Sequence, residues 1–365
     1  MRIIIGADFI PTAQNSDLFK AGNCEEIVGS ELMQIMNDAD YRIINLEAPL
    51  YDHSSPIKKR GPLLKAESAC IEAYKELGID LVTLANNHIM DHGSEGLVST
   101  FDALSKSNIA WVGAGQNIEE ASKPYIINLN NEKIGIYACC EHEFSIASSD
   151  KPGANPVDVF NCLDSIRNLK EICNYVIVLY HGGREYYRYP VPFQQKISRA
   201  FIKAGADVVV SQHSHCVGCK EKYRDGTIIY GQGNFLFDLK DDEYWRTGLL
   251  IKVDTVFNDI EYIPVCKSGE KVRLANDDEK KSIMELFKSN SKEIENEDYV
   301  ENRFKAEADK YKGYYLRLLH GNSLLDKLLD KAFKRKPYSD ASLIDLYDIL
   351  YCESHLELLK EIVKQ

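Results

Sequence analysis

The 365-residue chain is 44% hydrophobic and 27% charged, with a formal net charge of −12 at pH 7. It is long enough for a large buried core and a second, smaller unit. The acidic balance repels phosphate backbones and anionic lipid, which argues against nucleic acid and membrane surfaces as partners, and no apolar run reaches the length of a membrane span. An anionic small-molecule or polymer substrate would need a locally positive site, which bound metal ions can supply.

The chain opens on Met1-Arg2-Ile3-Ile4-Ile5-Gly6-Ala7-Asp8, an apolar strand running into a polar turn. These residues lack the n-region, apolar h-region and cleavage site of a leader, so the expected location is cytoplasmic. Apolar runs at residues 3–6, 41–46, 80–84, 125–129, 133–139, 175–180, 207–211 and 227–230 predict strands. Segments of helical period at 67–77, 96–107 and 193–204 fall among them. This alternation predicts an α/β domain with helices packed on sheet faces. Residues 248–254 and 259–265, separated by Val256-Phe257-Asn258, predict an antiparallel hairpin that closes the domain.

Beyond about residue 272 the chain becomes charged and helical in period. Leu316 and Leu319, then Leu324, Leu325, Leu328 and Leu329, form apolar stripes interrupted at Gly321-Asn322. Ser339 starts a last predicted helix with Leu343, Leu346, Ile349 and Leu350 on one face. The expected organisation is an α/β domain over residues 1–270 and a helical extension over 271–365, which packs on that domain or docks a partner protein. The ten cysteines are scattered and several sit in apolar runs, so they read as reduced, buried thiols. Cys216-x-x-Cys219 has no second pair, and packed thiols explain it better than a zinc or redox motif.

The chemistry-bearing residues fall at strand ends. Asp8 ends the first predicted strand, Asn45 and Glu47 the second, Asn86-Asn87-His88 the third, His181 a later one, and His213 and His215 the next. Ligands of α/β sheets bind beyond the carboxyl ends of strands, so these carboxylates, amides and imidazoles converge on one rim. Each alone has a plainer reading: Asp8 as a helix cap, Glu47 as a solvated side chain, the His213-x-His215 pair as packing. Together they fit a metal site, with His213 and His215 projecting to one side of an extended segment. Glu141-His142-Glu143 also follows a strand and lines the expected cleft, whereas Lys58-Lys59-Arg60 reads as a solvated turn that could lend positive charge to the rim.

Seven stretches carry a resemblance. They are Gly6-Ala7-Asp8, Asn45-Leu46-Glu47-Ala48-Pro49, Leu84-Ala85-Asn86-Asn87-His88-Ile89-Met90-Asp91-His92-Gly93, His181-Gly182-Gly183-Arg184-Glu185-Tyr186, Gly205-Ala206-Asp207, Gln212-His213-Ser214-His215 and Tyr230-Gly231-Gln232-Gly233-Asn234-Phe235. In order and spacing, over residues 1 to about 240, they resemble the calcineurin-like metallophosphoesterases. The resemblance is closer to their branch, the poly-γ-glutamate capsule synthesis protein CapA family. It implies two facing, mixed β-sheets flanked by helices, and a function in capsule, poly-γ-glutamate or surface-polysaccharide biosynthesis. It further implies one or two divalent ions, Mn, Fe or Zn in preference to Mg. Asp8 and His215 would serve the first ion, Glu47 would bridge, and Asn87, His181 and His213 would complete the second. His88 matches the general-acid histidine, with Asp91 orienting its ring. Asn45, Arg184, Glu185 and Asn234 are expected to contact substrate.

Two residues depart from the phosphoesterase pattern. Ile10 stands where those enzymes carry a histidine two residues after the first aspartate, and Glu47 replaces a bridging aspartate. Capsule-synthesis relatives share both departures. They leave open a non-catalytic, polymer-binding or assembly function beside that of a metal-dependent hydrolase.

Overall fold

The computed structural model describes residues 1–237, 242–319 and 339–351. Its principal strands are β1 (Arg2–Ile10), β2 (Tyr41–Asn45), β3 (Leu81–Thr83), β4 (Ala110–Val112), β5 (Tyr125–Leu129), β6 (Glu132–Cys140) and β7 (Tyr175–His181). They continue as β8 (Val208–Gln212), β9 (Val217–Tyr223), β10 (Gly226–Gln232), β11 (Asn234–Phe237), β12 (Thr247–Asp254), β13 (Asp259–Ser268) and β14 (Lys271–Leu274). The larger helices are α1 (Cys24–Asn37), α2 (Ile71–Glu76), α3 (Gly93–Lys106), α4 (Val159–Ile172), α5 (Pro192–Ala204), α6 (Asp277–Glu293), α7 (Tyr299–Leu319) and α8 (Asp340–Tyr351).

Two mixed sheets make the α/β architecture. The first runs β14-β13-β12-β1-β2-β3-β4, with β11 added beside the second half of β1, and the second runs β9-β10-β8-β7-β6-β5. β1 to β4 pair in parallel, and the predicted hairpin of β12 and β13 pairs antiparallel beside β1.

Period-two alternation explains why the sheets face each other. Ile134, Ile136, Ala138, Ile177 and Leu179 join the core of the first sheet, whereas their neighbours Tyr137, Cys139, Val176, Val178 and Tyr180 pack with Ile166 of α4 and Phe201 of α5. Buried glutamines tie the layers together: Gln212 Nε2 donates to the carbonyl of Gly6 at 3.1 Å, and Gln232 Nε2 to that of Ile5 at 2.9 Å. All nine cysteines among the described residues are buried free thiols, Cys216 and Cys219 included.

Several elements were not legible in the sequence. α1 contains Gly29 at φ 77°, which kinks the helix and breaks its period. The segment expected as one helix at 67–77 begins as a tight turn, Ser68–Cys70, before α2. β9, β11 and β14 are short or polar; β9 and β14 pair with their neighbours in sequence, β10 and β13, whereas β11 pairs with the distant β1.

The compact units are Met1–Val300 and Glu301–Gln365, so the boundary expected after residue 270 moves. The reason is α6. Its capping box at Asn276 and Glu279 starts the helix, and Phe287 is fully buried against Tyr262 of β13, with ring centroids 5.0 Å apart. Phe287→Ala is expected to destabilise the first unit by about 3–5 kcal/mol, measured by urea unfolding. In the second unit Leu316, Leu343 and Leu346 are half-buried, while Leu319 and Leu350 are exposed. Leu324, Leu325, Leu328, Leu329 and Gly321-Asn322 lie outside the described residues, as does the Ile349 side chain. No helix among the described residues is long and apolar enough to cross a membrane.

Candidate metal centre

The strand-end residues do converge, though not all as strand ends. Asp8 lies inside β1, at a register irregularity where the partner changes: residues 2–5 pair with β12, and residues 8–10 pair with β11. A bulge of this kind re-aims the side chain it carries. The link from β10 to β11 passes through Gly233 at φ 72°, where an added Cβ would lie 2.4 Å from the Thr247 carbonyl. That close approach needs glycine, and it sets Asn234 beside Asp8.

His213 and His215 depart from the extended segment expected for them. They occupy left-handed backbone at φ 92° and 53°, a conformation rare for side-chain-bearing residues and concentrated at functional turns. The turn directs His213 to His181, with Nδ1 and Nε2 3.1 Å apart, and His215 to Asp8, with Nδ1 3.3 Å from Oδ2.

Two donor sets result: Glu47, His181 and His213, and Asp8, Glu47 and His215. Within each set the donor atoms lie within 4.8 Å of one another, and Glu47 is shared. Asn87 joins the first, its Oδ1 3.1 Å from His181 Nε2. Neither oxygen of Glu47 has a hydrogen-bond partner, nor does Oδ2 of Asp8, although both residues are fully buried. Unsatisfied buried carboxylate oxygens are costly unless a cation meets them. Oxygen and imidazole donors around such orphans fit divalent metal ions.

The electrostatics follow from this crowding. Burial opposes the Glu47 charge, but the neighbouring His181 outweighs it and holds the carboxyl well below the usual range. Burial and the Glu47 charge push Asp8 the other way, against His215. Burial would depress His215, yet Asp8 and Glu47 raise it to about 9. His181 is raised because Glu47 overcomes its burial, whereas burial and the charge of His181 hold His213 well below its ordinary value.

Around the donors, amides fix geometry. Asn45 Nδ2 donates to Asp8 Oδ1 at 2.6 Å, and Asn45 Oδ1 accepts from Asn86 Nδ2 at 3.2 Å. Asn86 Oδ1 in turn accepts from the backbone N–H groups of His88 and Ile89. Asn45 is fully buried and positions Asp8 through its Nδ2 bond. Asn234 is also buried, with Oδ1 3.0 Å from His215 Nδ1; it orients that imidazole. Asn234 Nδ2 is buried with no hydrogen-bond partner, a donor open to a bound group.

His88 Nδ1 lies 2.6 Å from Asp91 Oδ2, and Asp91 is fully buried. Lys59, expected in a solvated turn, instead has a side chain only 2% exposed and is hydrogen-bonded to Asp91 Oδ1. Arg184 is half-buried and Glu185 exposed, just after β7. Glu141 accepts from Tyr180 Oη at 2.9 Å and from the Gly183 backbone N–H at 3.0 Å; its carboxyl is raised by burial. Glu143 accepts from Asn87 Nδ2 at 3.2 Å. Ile10 is buried with Ala48, Phe237 and Trp245, and the Trp245 ring stacks on His215 at 4.5 Å. An apolar wall thus stands beside His215.

Comparison with known proteins identifies the family. The capsule biosynthesis protein CapA of Bacillus anthracis is 30% identical over 212 residues, covering 56% of this chain and 52% of that protein. The PGA biosynthesis protein CapA of Bacillus subtilis (strain 168) is 29% identical over 212 residues, covering 56% and 55%. The chain spans about half the length of the curated relatives it matches. A solved structure described as a novel phosphatase from Mycoplasma pneumoniae aligns over 74% of this chain and 94% of its own, at 16% identity and a TM-score of 0.44. The family model described as "Bacterial capsule synthesis protein PGA_cap" matches residues 3–239. That match takes in every candidate donor from Asp8 to His215, and with well over half of its length covered the chain belongs to this bacterial capsule synthesis family.

Proposed function

We propose that the protein is a metal-dependent hydrolase that acts on a phosphoester or related bond in capsule, poly-γ-glutamate or surface-polysaccharide biosynthesis. The observation that carries this reading is the set of three buried, unsatisfied carboxylate oxygens on Asp8 and Glu47, ringed by His181, His213 and His215. Asp8 and His215 would hold one ion and Asn87, His181 and His213 a second, with Glu47 shared. Bound there, divalent ions supply Lewis-acid charge for an anionic group and lower the pKa of water.

The chain's own residues supply the rest. Asp91 holds Nδ1 of His88, which leaves Nε2 as the nitrogen that gives a proton to the leaving oxygen. Arg184 and Glu185, on the turn after β7, are assigned to substrate contact, Arg184 through a carboxylate or phosphate. The buried apolar side chains of Ile10, Phe237 and Trp245 lower the local dielectric beside His215 and so strengthen its charge interactions.

Glu143 deepens the assignment of Asn87. A carboxylate only accepts, so its contact with Asn87 Nδ2 forces the amide oxygen inward, toward His181. Glu143→Gln removes that constraint and one negative charge. Affinity for the second ion is expected to fall about 10- to 100-fold by isothermal titration calorimetry, as for other outer contacts of ligands.

The functional test is direct: strip the protein with chelator, restore Mn²⁺, and assay a panel of phosphoesters. Metal-dependent turnover supports the reading, and uptake of metal with no turnover on any of them contradicts it. Ile10 favours a second reading, a polymer-binding or assembly component of the same pathway, because the apolar wall removes one candidate donor from the first half-site. Polyglutamate binding that persists in His88→Ala protein, without hydrolysis by the wild type, supports that alternative.

A further inference from the structure

Between β2 and α2 the chain includes an irregular strap, residues 52–65, most of it exposed. Lys58 and Arg60 follow that pattern, but the Lys59 side chain turns inward. Its Nζ contacts three groups: Asp91 Oδ1, His88 Nδ1 at 3.1 Å and the Asn87 carbonyl at 3.4 Å. A lysine this buried beside a fully buried aspartate calls for a reason.

Anchoring the strap is not a sufficient one. Ile57 N–H donates to the Asp91 carbonyl at 3.0 Å, and Leu64 N–H to Asp91 Oδ2 at 2.7 Å. Ser55 adds two bonds, from its N–H to His92 Nδ1 at 3.0 Å and from Oγ to the His92 carbonyl at 2.8 Å. The strap is therefore held at residues 91 and 92 without Lys59.

What Lys59 alone supplies is the partner of Asp91 Oδ1. An ammonium has donors only, so it cannot accept the Nδ1 proton of His88; both donors converge on one carboxylate. With Oδ1 taken by Lys59, Oδ2 is left to His88, and the carboxylate plane fixes the imidazole with Nδ1 inward. The third contact, to the Asn87 carbonyl, ties the same ammonium to the backbone that joins a candidate metal ligand to His88.

We propose that Lys59 is a positioning residue, which locks Asp91 so that His88 presents Nε2 to the leaving group. This rests on the reading of His88 as the proton donor. Its signature is a dependence on the leaving group: p-nitrophenolate departs without protonation, whereas phenolate needs an acid far more.

The test uses the Mn²⁺-loaded full chain and its Lys59→Met variant, with Lys59→Gln in its place should the methionine variant fail to fold. Turnover of phenyl phosphate is expected to fall about 10- to 100-fold, and that of p-nitrophenyl phosphate much less, with metal content unchanged. Equal losses on both esters, or none, overturn the proposal. A readout independent of activity comes from ¹⁵N-histidine NMR of the metal-free protein, with the His88 signal assigned by His88→Gln. A protected, downfield Nδ1–H resonance is expected in wild type and should be lost in the variant; its persistence in the variant, or its absence from wild type, also overturns the proposal. If the wild type cleaves neither ester while the resonance still depends on Lys59, the positioning role stands and the hydrolase reading fails.

Discussion

Glu47→Gln protein is expected to fold, to lose binding at both half-sites, and to lose turnover by about three orders of magnitude or more. The shared carboxylate is the only group common to both donor sets, and neither of its oxygens accepts a hydrogen bond, although Oε1 lies 3.3 Å from His181 Nε2. The substitution therefore removes the one residue on which both ions depend while conserving side-chain volume. In metal-free protein the substitution removes one partner of a buried pair, which costs about 3–5 kcal/mol unless His181 gives up its proton. Metal then tells the variants apart. Saturating Mn²⁺ stabilises wild type by about 2.7 kcal/mol at a hundredfold excess over Kd, visible as a rise of several degrees in Tm. That rise should vanish in Glu47→Gln. A variant with an unchanged Mn²⁺-dependent Tm shift would contradict the bridging assignment.

The second large effect concerns His88. It is not part of either donor set, so His88→Gln should keep full metal content. Turnover of an ester with a poor leaving group should nevertheless drop about 10²- to 10⁴-fold, the usual contribution of a positioned general acid. The loss should be carried by kcat, since the proton is delivered only in the transition state. Steady-state kinetics on phenyl phosphate, alongside metal analysis of the same preparation, checks both halves. A variant that loses its metal as well would make His88 a ligand.

Much of this site was visible in the sequence because backbone rules confine it. Ile3 to Ile5, residues 175–180 and 207–211 are continuous apolar runs, as strands buried on both faces must be. The residues that follow these runs deliver Asp8, His181 and His213 to one rim. What was hidden depends on contacts between residues far apart in sequence. The aim of Asp8 comes from a bulge created when β11 replaces β12 beside β1. Lys59, flanked by charges and a following Gly-Pro, has every local sign of a solvated turn; its burial is decided by Asp91, 32 residues away. The bonds that join Asn45 to Asp8 and Asn234 to His215 likewise span distant residues and leave no local sign in the sequence. The boundary at residue 270 failed for the same reason: α6 is polar in sequence and joins the core largely through Phe287 and Ile283.

The central claim is that Glu47 bridges two metal half-sites built from Asp8 and His215 on one side and His181 and His213 on the other. Anomalous diffraction from crystals soaked in Mn²⁺ tests it most directly. Peaks within coordination distance of Glu47, one beside His215 and one between His181 and His213, are the predicted result; no peak at Glu47 in crystals that bind Mn²⁺ elsewhere would contradict it.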